Sequence, residues 1–178
     1  MKKFINRLVK ENKISIDESE FARNMLKEAY KYAYEHSTDL TTKNGVVIVK
    51  DGNVVSFGSN EFAPGINITR KRRISEKIYQ GHSERNAIYK AARKGIVLEN
   101  SQMYTTWVPC PVCANAIINT GISKVVIHYD AAIKPKEKWE KELKEGLKMM
   151  IEGGVEVCVY KGKIGNVKAL FSKKIWEP

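Results

Sequence analysis

The stretch KVVIHYDAAIKPKEKWEKELKEGLKMMIEGGVEVCVY, residues 124–160, decides the fold. Two β-branched runs, KVVIHY and VEVCVY, stand on either side of KEKWEKELKEGLKMMIEGG, a segment that reads as a helix. A helix of that length between two strands is a crossover, and a crossover returns the second strand parallel to the first. A largely parallel sheet covered by helices is therefore predicted.

The alternation continues upstream. CPVCANAIINTG reads as a short helix stopped by Gly121, SQMYTTW as a strand, and HSERNAIYKAARKG as a helix ending at Gly95. VVIVKDGNVVSF is a hairpin around Asp51 and Gly52, a strong turn pair. In EFARNMLKEAYKYAYEH, Phe21, Met25, Ala29 and Tyr32 recur at helical spacing and predict an amphipathic helix. The order α, β, β, α, β, α, β, α, β predicts an α/β fold whose first hairpin is its antiparallel part. GSNEFAPGINITRKRRISEKIYQG has no sustained periodicity beyond a short helical turn near 74–79, and loops of that length are commonly functional.

A chain of 178 residues, 43% hydrophobic and 29% charged, fits a single domain over 1–178. Its core is expected at about 20–160, with a helical N-terminal extension and a basic C-terminal tail. The start, MKKFINRLVKENK, lacks the apolar run of a secretory signal, and no run of about 18 apolar residues occurs, which predicts a cytoplasmic protein without a membrane partner. Three cysteines do not make a disulfide framework. The formal charge of +11 suits a polyanion such as nucleic acid, or a phosphorylated small molecule. Much of it lies in 134–148 and 161–174, where a solvated helix face and terminus explain it.

Cys110, Cys113, Ala114, Ile117 and Ile118 follow the i, i+3, i+4, i+7, i+8 pattern of a buried stripe, so both thiols face inward. Glu84, Ala87, Ile88 and Ala91 repeat the pattern and put a carboxylate on a core-facing stripe, a costly placement without a partner or a task. His82 can converge with Glu84 if it sits at the cap or first helical position rather than inside the regular helix. Singly, each residue has a plain structural explanation: a buried cysteine packs as a small hydrophobe, and CPVC after a strand also suits a redox dithiol. Together, HxE at one helix start and PCxxC at another, one strand apart, form the pattern of zinc deaminases. His82, Cys110 and Cys113 supply three zinc ligands and leave a fourth position open, the mark of a catalytic ion. A structural zinc in a nucleic-acid-binding module would need a fourth ligand and has no use for Glu84.

GHSERNAIYKAARKGI, MYTTWVPCPVCANAIINTGISKVVIH and TTKNGVVIVKDGNVVSFGSNEFAPG closely resemble the deoxycytidylate deaminase branch of the cytidine deaminase superfamily. The resemblance covers residues 38–160. It implies a three-layer α/β/α sandwich around a five-stranded mixed sheet of order 2-1-3-4-5, with one catalytic Zn2+ held by His82, Cys110 and Cys113 between two helix starts. It also implies Glu84 as proton shuttle, Asn60 as a contact to the substrate sugar, and Lys43 and Asn44 as neighbours of the nucleotide. The implied substrate is a nucleoside monophosphate, dCMP converted to dUMP and ammonia, and the implied assembly is a homo-oligomer. Ser83 departs from the family's usual alanine, Asn44 stands where a small apolar residue is common, and TRKRR has no counterpart. Arg70, Lys71, Arg72, Arg73 and Lys43 are the candidate phosphate donors. An adenosine deaminase acting on tRNA or a purine nucleotide is the alternative; the net charge favours it, while RNAI after the glutamate opposes it.

Overall fold

A computed structural model describes residues 1–74, 76–134 and 137–178. Lys136, at the predicted start of the last helix, and Ser75, in the predicted 74–79 turn, lie outside these. The chain opens with Lys2–Lys10 (α1), Ser15–Ile16 (β1) and Glu20–His36 (α2), followed by the hairpin Gly45–Lys50 (β2) and Asn53–Ser59 (β3). Four short pieces come next: Glu61–Phe62 (β4), Arg70–Ile74 (α3), Glu76–Tyr79 (α4) and Gln80–Gly81 (β5). Ser83–Arg93 (α5), Gln102–Thr105 (β6), Pro111–Asn119 (α6), Lys124–His128 (β7) and Tyr129–Ala132 (α7) carry the chain to the crossover. Glu137–Glu152 (α8), Glu156–Tyr160 (β8), Ala169–Phe171 (β9) and Lys174–Trp176 (β10) complete it.

The main sheet runs β1-β8-β7-β6-β2-β3. Strands β6, β7 and β8 are parallel, as the crossover through α8 requires, with Val125 opposite Val157 and Ile127 opposite Val159. Strand β2 is antiparallel to both β3 and β6. Within the sheet, β3-β2-β6-β7-β8 is the expected order 2-1-3-4-5. The expectation of five strands is corrected by β1, which adds a sixth, parallel to β8 at the edge. Two residues show no alternation to read. Ser15–Ile16 is held there by its ladder to β8, by the Asp17 amide donating to the Val159 carbonyl at 3.0 Å, and by the Lys124 to Asp17 ion pair at 3.2 Å.

Both faces of the sheet are buried, which explains strands rich in β-branched residues. Val46, Ile48, Met103, Val125, Ile127, Val157 and Val159 pack against α1, α5, α6 and α8 on one side. Their alternate neighbours Val47, Val49, Tyr104, Val126 and Cys158 pack against α2 on the other. The result is three layers. Helix α2 is rotated from the face predicted for it: Ala22, Leu26, Ala29, Tyr30 and Ala33 are buried, while Phe21 is 43% exposed. Small alanines let the helix lie close to the strands, and a Cβ on Gly45 of β2 would stand 2.0 Å from the Ala29 carbonyl oxygen.

Asp51 and Gly52, at φ 50° and 76°, make the expected tight hairpin turn. The stretch expected as a basic tail folds instead: β9 and β10 pair antiparallel through Ser172 and Lys173, at φ 49° and 66°. Two non-glycine residues in the left-handed region give no turn signal in the sequence, so this hairpin is invisible there. Among the described residues, no helix is long and apolar enough to cross a membrane.

Candidate active site

Helices α5 and α6 begin beside each other. His82 is the N-cap of α5, with extended backbone (φ −71°, ψ 155°), and Cys110 is the N-cap of α6 (φ −73°, ψ 168°). The cap position frees the His82 side chain from the helical direction that would have aimed it away from Glu84. Pro111 opens α6, where its missing amide hydrogen costs little. One turn into α6, Cys113 is fully buried with Ala114 and Ile117, and in α5 Glu84 is 4% exposed beside buried Ala87 and Ala91. Both inward stripes are therefore real.

His82 Nδ1 lies 3.5 Å from Cys110 Sγ and 3.6 Å from Cys113 Sγ. Among the described residues, these three form the group of side chains whose ligand atoms all lie within 4.8 Å of one another. Zinc bonds of about 2.3 Å to sulfur and about 2.1 Å to nitrogen, at a tetrahedral angle, would separate S from N by about 3.6 Å. The donor set fits zinc in type and in spacing.

The electrostatics agree. A hydrogen bond from Cys113, with one from His82, outweighs burial and pushes the Cys110 thiol down to about 4, the direction that favours a ligating thiolate. The same bond, together with burial, pushes Cys113 up. The Cys110 bond raises His82. Burial raises Glu84, against the opposing attraction of His82, and the Ser83 hydroxyl donates to Glu84 Oε2 at 3.2 Å. Glu84 is thus a carboxyl that can hold a proton next to a metal site.

A web of amides fixes the approach to His82. Asn86 Nδ2 donates to the carbonyls of Ser59 at 2.8 Å and Gly81 at 3.0 Å. Asn60 Oδ1 accepts from the Ser83 amide at 3.2 Å, and its Nδ2 donates to the Thr42 carbonyl at 3.3 Å. A Cβ on Gly58 would stand 2.1 Å from the Ser83 carbonyl oxygen, so β3 must offer a glycine for α5 to sit at this depth.

His82, Glu84 and Cys110 lie on a cavity of about 590 Å³, within the roughly 300–1,000 Å³ of small-molecule sites. Residues 19–129, more than half of the chain, match the family model of the cytidine and deoxycytidylate deaminase zinc-binding region. The chain belongs to this family. It is a zinc-dependent nucleotide deaminase, and zinc is its cofactor.

The deaminase is 35% identical over 123 residues to an uncharacterized deaminase of Aliivibrio fischeri, a match covering 68% of this chain and 81% of that one. It is 33% identical over 102 residues to the deoxycytidylate deaminase of Enterobacteria phage T4, covering 55% of this chain and about half (51%) of the phage enzyme. Its fold matches the crystal structure of the dCMP deaminase of cyanophage S-TIM5 in complex with dCMP and dUMP, with a TM-score of 0.65 at 23% identity, over 80% of this chain and 98% of that one.

Of the residues singled out in the deaminase's sequence, Asn44 and Asn60 line the cavity. Lys43 does not: its ammonium donates to the Tyr34 carbonyl and lies 5.0 Å from the Tyr34 ring centre. Arg70, Lys71, Arg72 and Arg73 are also absent from the lining, and Arg72 is spent on the Asn67 carbonyl at 2.8 Å and the Tyr79 ring. Sequence reasoning missed Asp39, Thr42, Phe171, Ser172 and Lys173, all on the cavity wall. Trp107, two residues before PCxxC, stacks on Phe171 with ring centres 5.0 Å apart, and its position next to the motif was the one signal available.

Proposed function

We propose that this deaminase converts deoxycytidylate to deoxyuridylate and ammonia. The observation that carries the reading is the buried Glu84, which is not a ligand, set beside the His82, Cys110 and Cys113 donor group on a cavity of nucleotide size. The choice of pyrimidine monophosphate is supported by the phage T4 and cyanophage relatives, named for that substrate.

In this reading His82, Cys110 and Cys113 would hold the zinc, which when bound would supply Lewis-acid activation of water. Glu84 would take a proton from the attacking water as the water oxygen adds to C4 of the cytosine ring, and deliver it to ring nitrogen N3. Glu84 then carries the second water proton to the exocyclic amine, which leaves as ammonia when the C4–N bond breaks. The raised pKa of Glu84, caused by burial, suits a group that must both accept and release a proton. Asn60 contacts the sugar and Asn44 borders the nucleotide, both from the cavity wall. Lys43 belongs to the same segment and acts by holding it to the Tyr34 carbonyl.

The proposal extends to identical subunits assembled in the cytoplasm. Three free thiols suit a reducing compartment, and exposed Ile78 (82%) and Ile74 (74%) suit an interface. A native mass of 20.2 kDa in solution would overturn the assembly.

The deciding experiment incubates the zinc-loaded protein with cytidine, deoxycytidine, adenosine, their monophosphates and a tRNA, and measures ammonia and inosine. Deoxycytidylate is expected to be turned over with the highest kcat/KM. Inosine formation in the tRNA without ammonia from deoxycytidylate would replace this reading with adenosine deamination, which the charge of +11 favours.

A further inference from the structure

The C-terminal hairpin reaches the cavity by an unusual route. Its turn, Ser172 and Lys173, is a two-residue loop with both residues at positive φ (49° and 66°), a geometry that Asn-Gly or Gly-Gly adopts without strain. A serine and a lysine there are locally unfavourable. The turn is clamped to the loop before β2 by three bonds: the Lys43 amide to the Leu170 carbonyl at 3.0 Å, the Ser172 amide to Thr42 Oγ1 at 3.1 Å, and the Lys173 amide to the Thr41 carbonyl at 2.8 Å. Thr41 and Thr42 are themselves set by Asp39, whose Oδ1 accepts from both of their amides.

The clamp leaves polar hydrogens unspent. Thr42 Oγ1 accepts from Ser172 and donates to no described residue; the Ser172 hydroxyl and the Lys173 ammonium also have no hydrogen-bond or ion-pair partner among the described residues. All three residues line the cavity that His82 and Glu84 face. Lys138, the other cation of the lining, lies 4.9 Å from the Trp139 ring centre. The hairpin also lies outside the family-matched residues 19–129.

We propose that Lys173, Ser172 and Thr42 form the subsite for the substrate's 5′-phosphate, so that the C-terminal hairpin selects a nucleotide over a nucleoside. A dianionic phosphate offers acceptor oxygens for one ammonium and two hydroxyls. A turn strained to aim a lysine at the cavity is a stability cost kept for binding. The inference rests on the nucleotide-deaminase reading but not on which base is deaminated.

The test uses 2-deoxyribose 5-phosphate, which carries the phosphate without a base, titrated calorimetrically into the zinc-loaded full chain. Wild type is expected to bind it, Lys173→Gly to bind about 10- to 100-fold more weakly, and Lys173→Arg to recover most of the loss. Glycine relaxes the turn, so Lys173→Gly should unfold at a temperature no lower than wild type, which separates lost binding from lost folding. No binding to wild type, equal binding to Lys173→Gly, or a loss confined to Lys138→Ala would each overturn the proposal. Lys173-dependent binding in a protein that releases no ammonia from deoxycytidylate would support the subsite and overturn only the choice of base.

Discussion

A Cβ on Gly146, in the middle of α8, would stand 2.2 Å from the carbonyl oxygen of Pro109. It would also lie 3.1 Å from the carbonyl carbon of Cys110, so the crossover helix that makes the sheet parallel presses on the backbone carrying a proposed zinc ligand. A glycine inside a helix costs about 1 kcal/mol relative to alanine, and this approach is the reason one is kept. Gly146→Ala should lower stability by about 1–3 kcal/mol despite its better helix propensity, and should reduce zinc occupancy. Thermal unfolding and metal analysis of the purified variant check this; a more stable variant with full zinc would contradict it.

Glu84→Gln keeps the shape of the side chain and the Ser83 hydroxyl as a neighbour but removes the titratable oxygen. Zinc should remain at one ion per chain while kcat on the preferred substrate falls by about 10²- to 10⁴-fold or more. Near wild-type ammonia release would remove Glu84 from its role.

Cys110→Ala and Cys113→Ala each delete one of three donors and should leave well under one zinc per chain after dialysis. Cys158→Ala is the internal control. That thiol is buried in β8 next to the Ser15 hydroxyl at 3.0 Å, away from His82, and its loss should not change zinc content. Full occupancy in either ligand variant would refute the donor set.

His128 is fully buried, with the Tyr30 hydroxyl donating to its Nδ1 at 2.7 Å and its Nε2 donating to the Gly162 carbonyl at 3.2 Å. Burial pushes this imidazole down to about 4 from 6.5, outweighing the Gly162 carbonyl and the Asp130 carboxylate. Between those values the unfolded chain binds more protons than the folded one, so stability rises with pH. This contribution, on the order of 3 kcal/mol, is complete above 6.5 and is lost as pH falls toward 4. Denaturant unfolding at several pH values should show a shallower slope in that window for His128→Gln than for wild type. Equal slopes would show that His128 does not titrate there.

The helix stripes of Cys110, Cys113 and Ala114 and of Glu84, Ala87 and Ile88 were legible because helical periodicity is a local property and each stripe faces the core it predicts. The same holds for the Asp51-Gly52 turn and for the parallel pairing of β7 with β8 across a helix. Where local signals were weak, the tertiary structure overrode them. Tyr32 is a good apolar residue by composition, yet α2 buries Ala33 and Tyr30, because close packing on β2 rewards small side chains.

By itself the sequence determined an α/β fold, two inward-facing thiols and a buried carboxylate, because spacing along each helix sets which side chains share a face. Only the tertiary structure decided which cations reach the cavity: Lys173 and Lys138 line it, while Lys43 and Arg72 are spent elsewhere. The physical reason is that a cavity wall is assembled from segments far apart in the chain. The bonds from Ser172 and Lys173 to Thr42 and Thr41 span about 130 residues, and no local pattern encodes them.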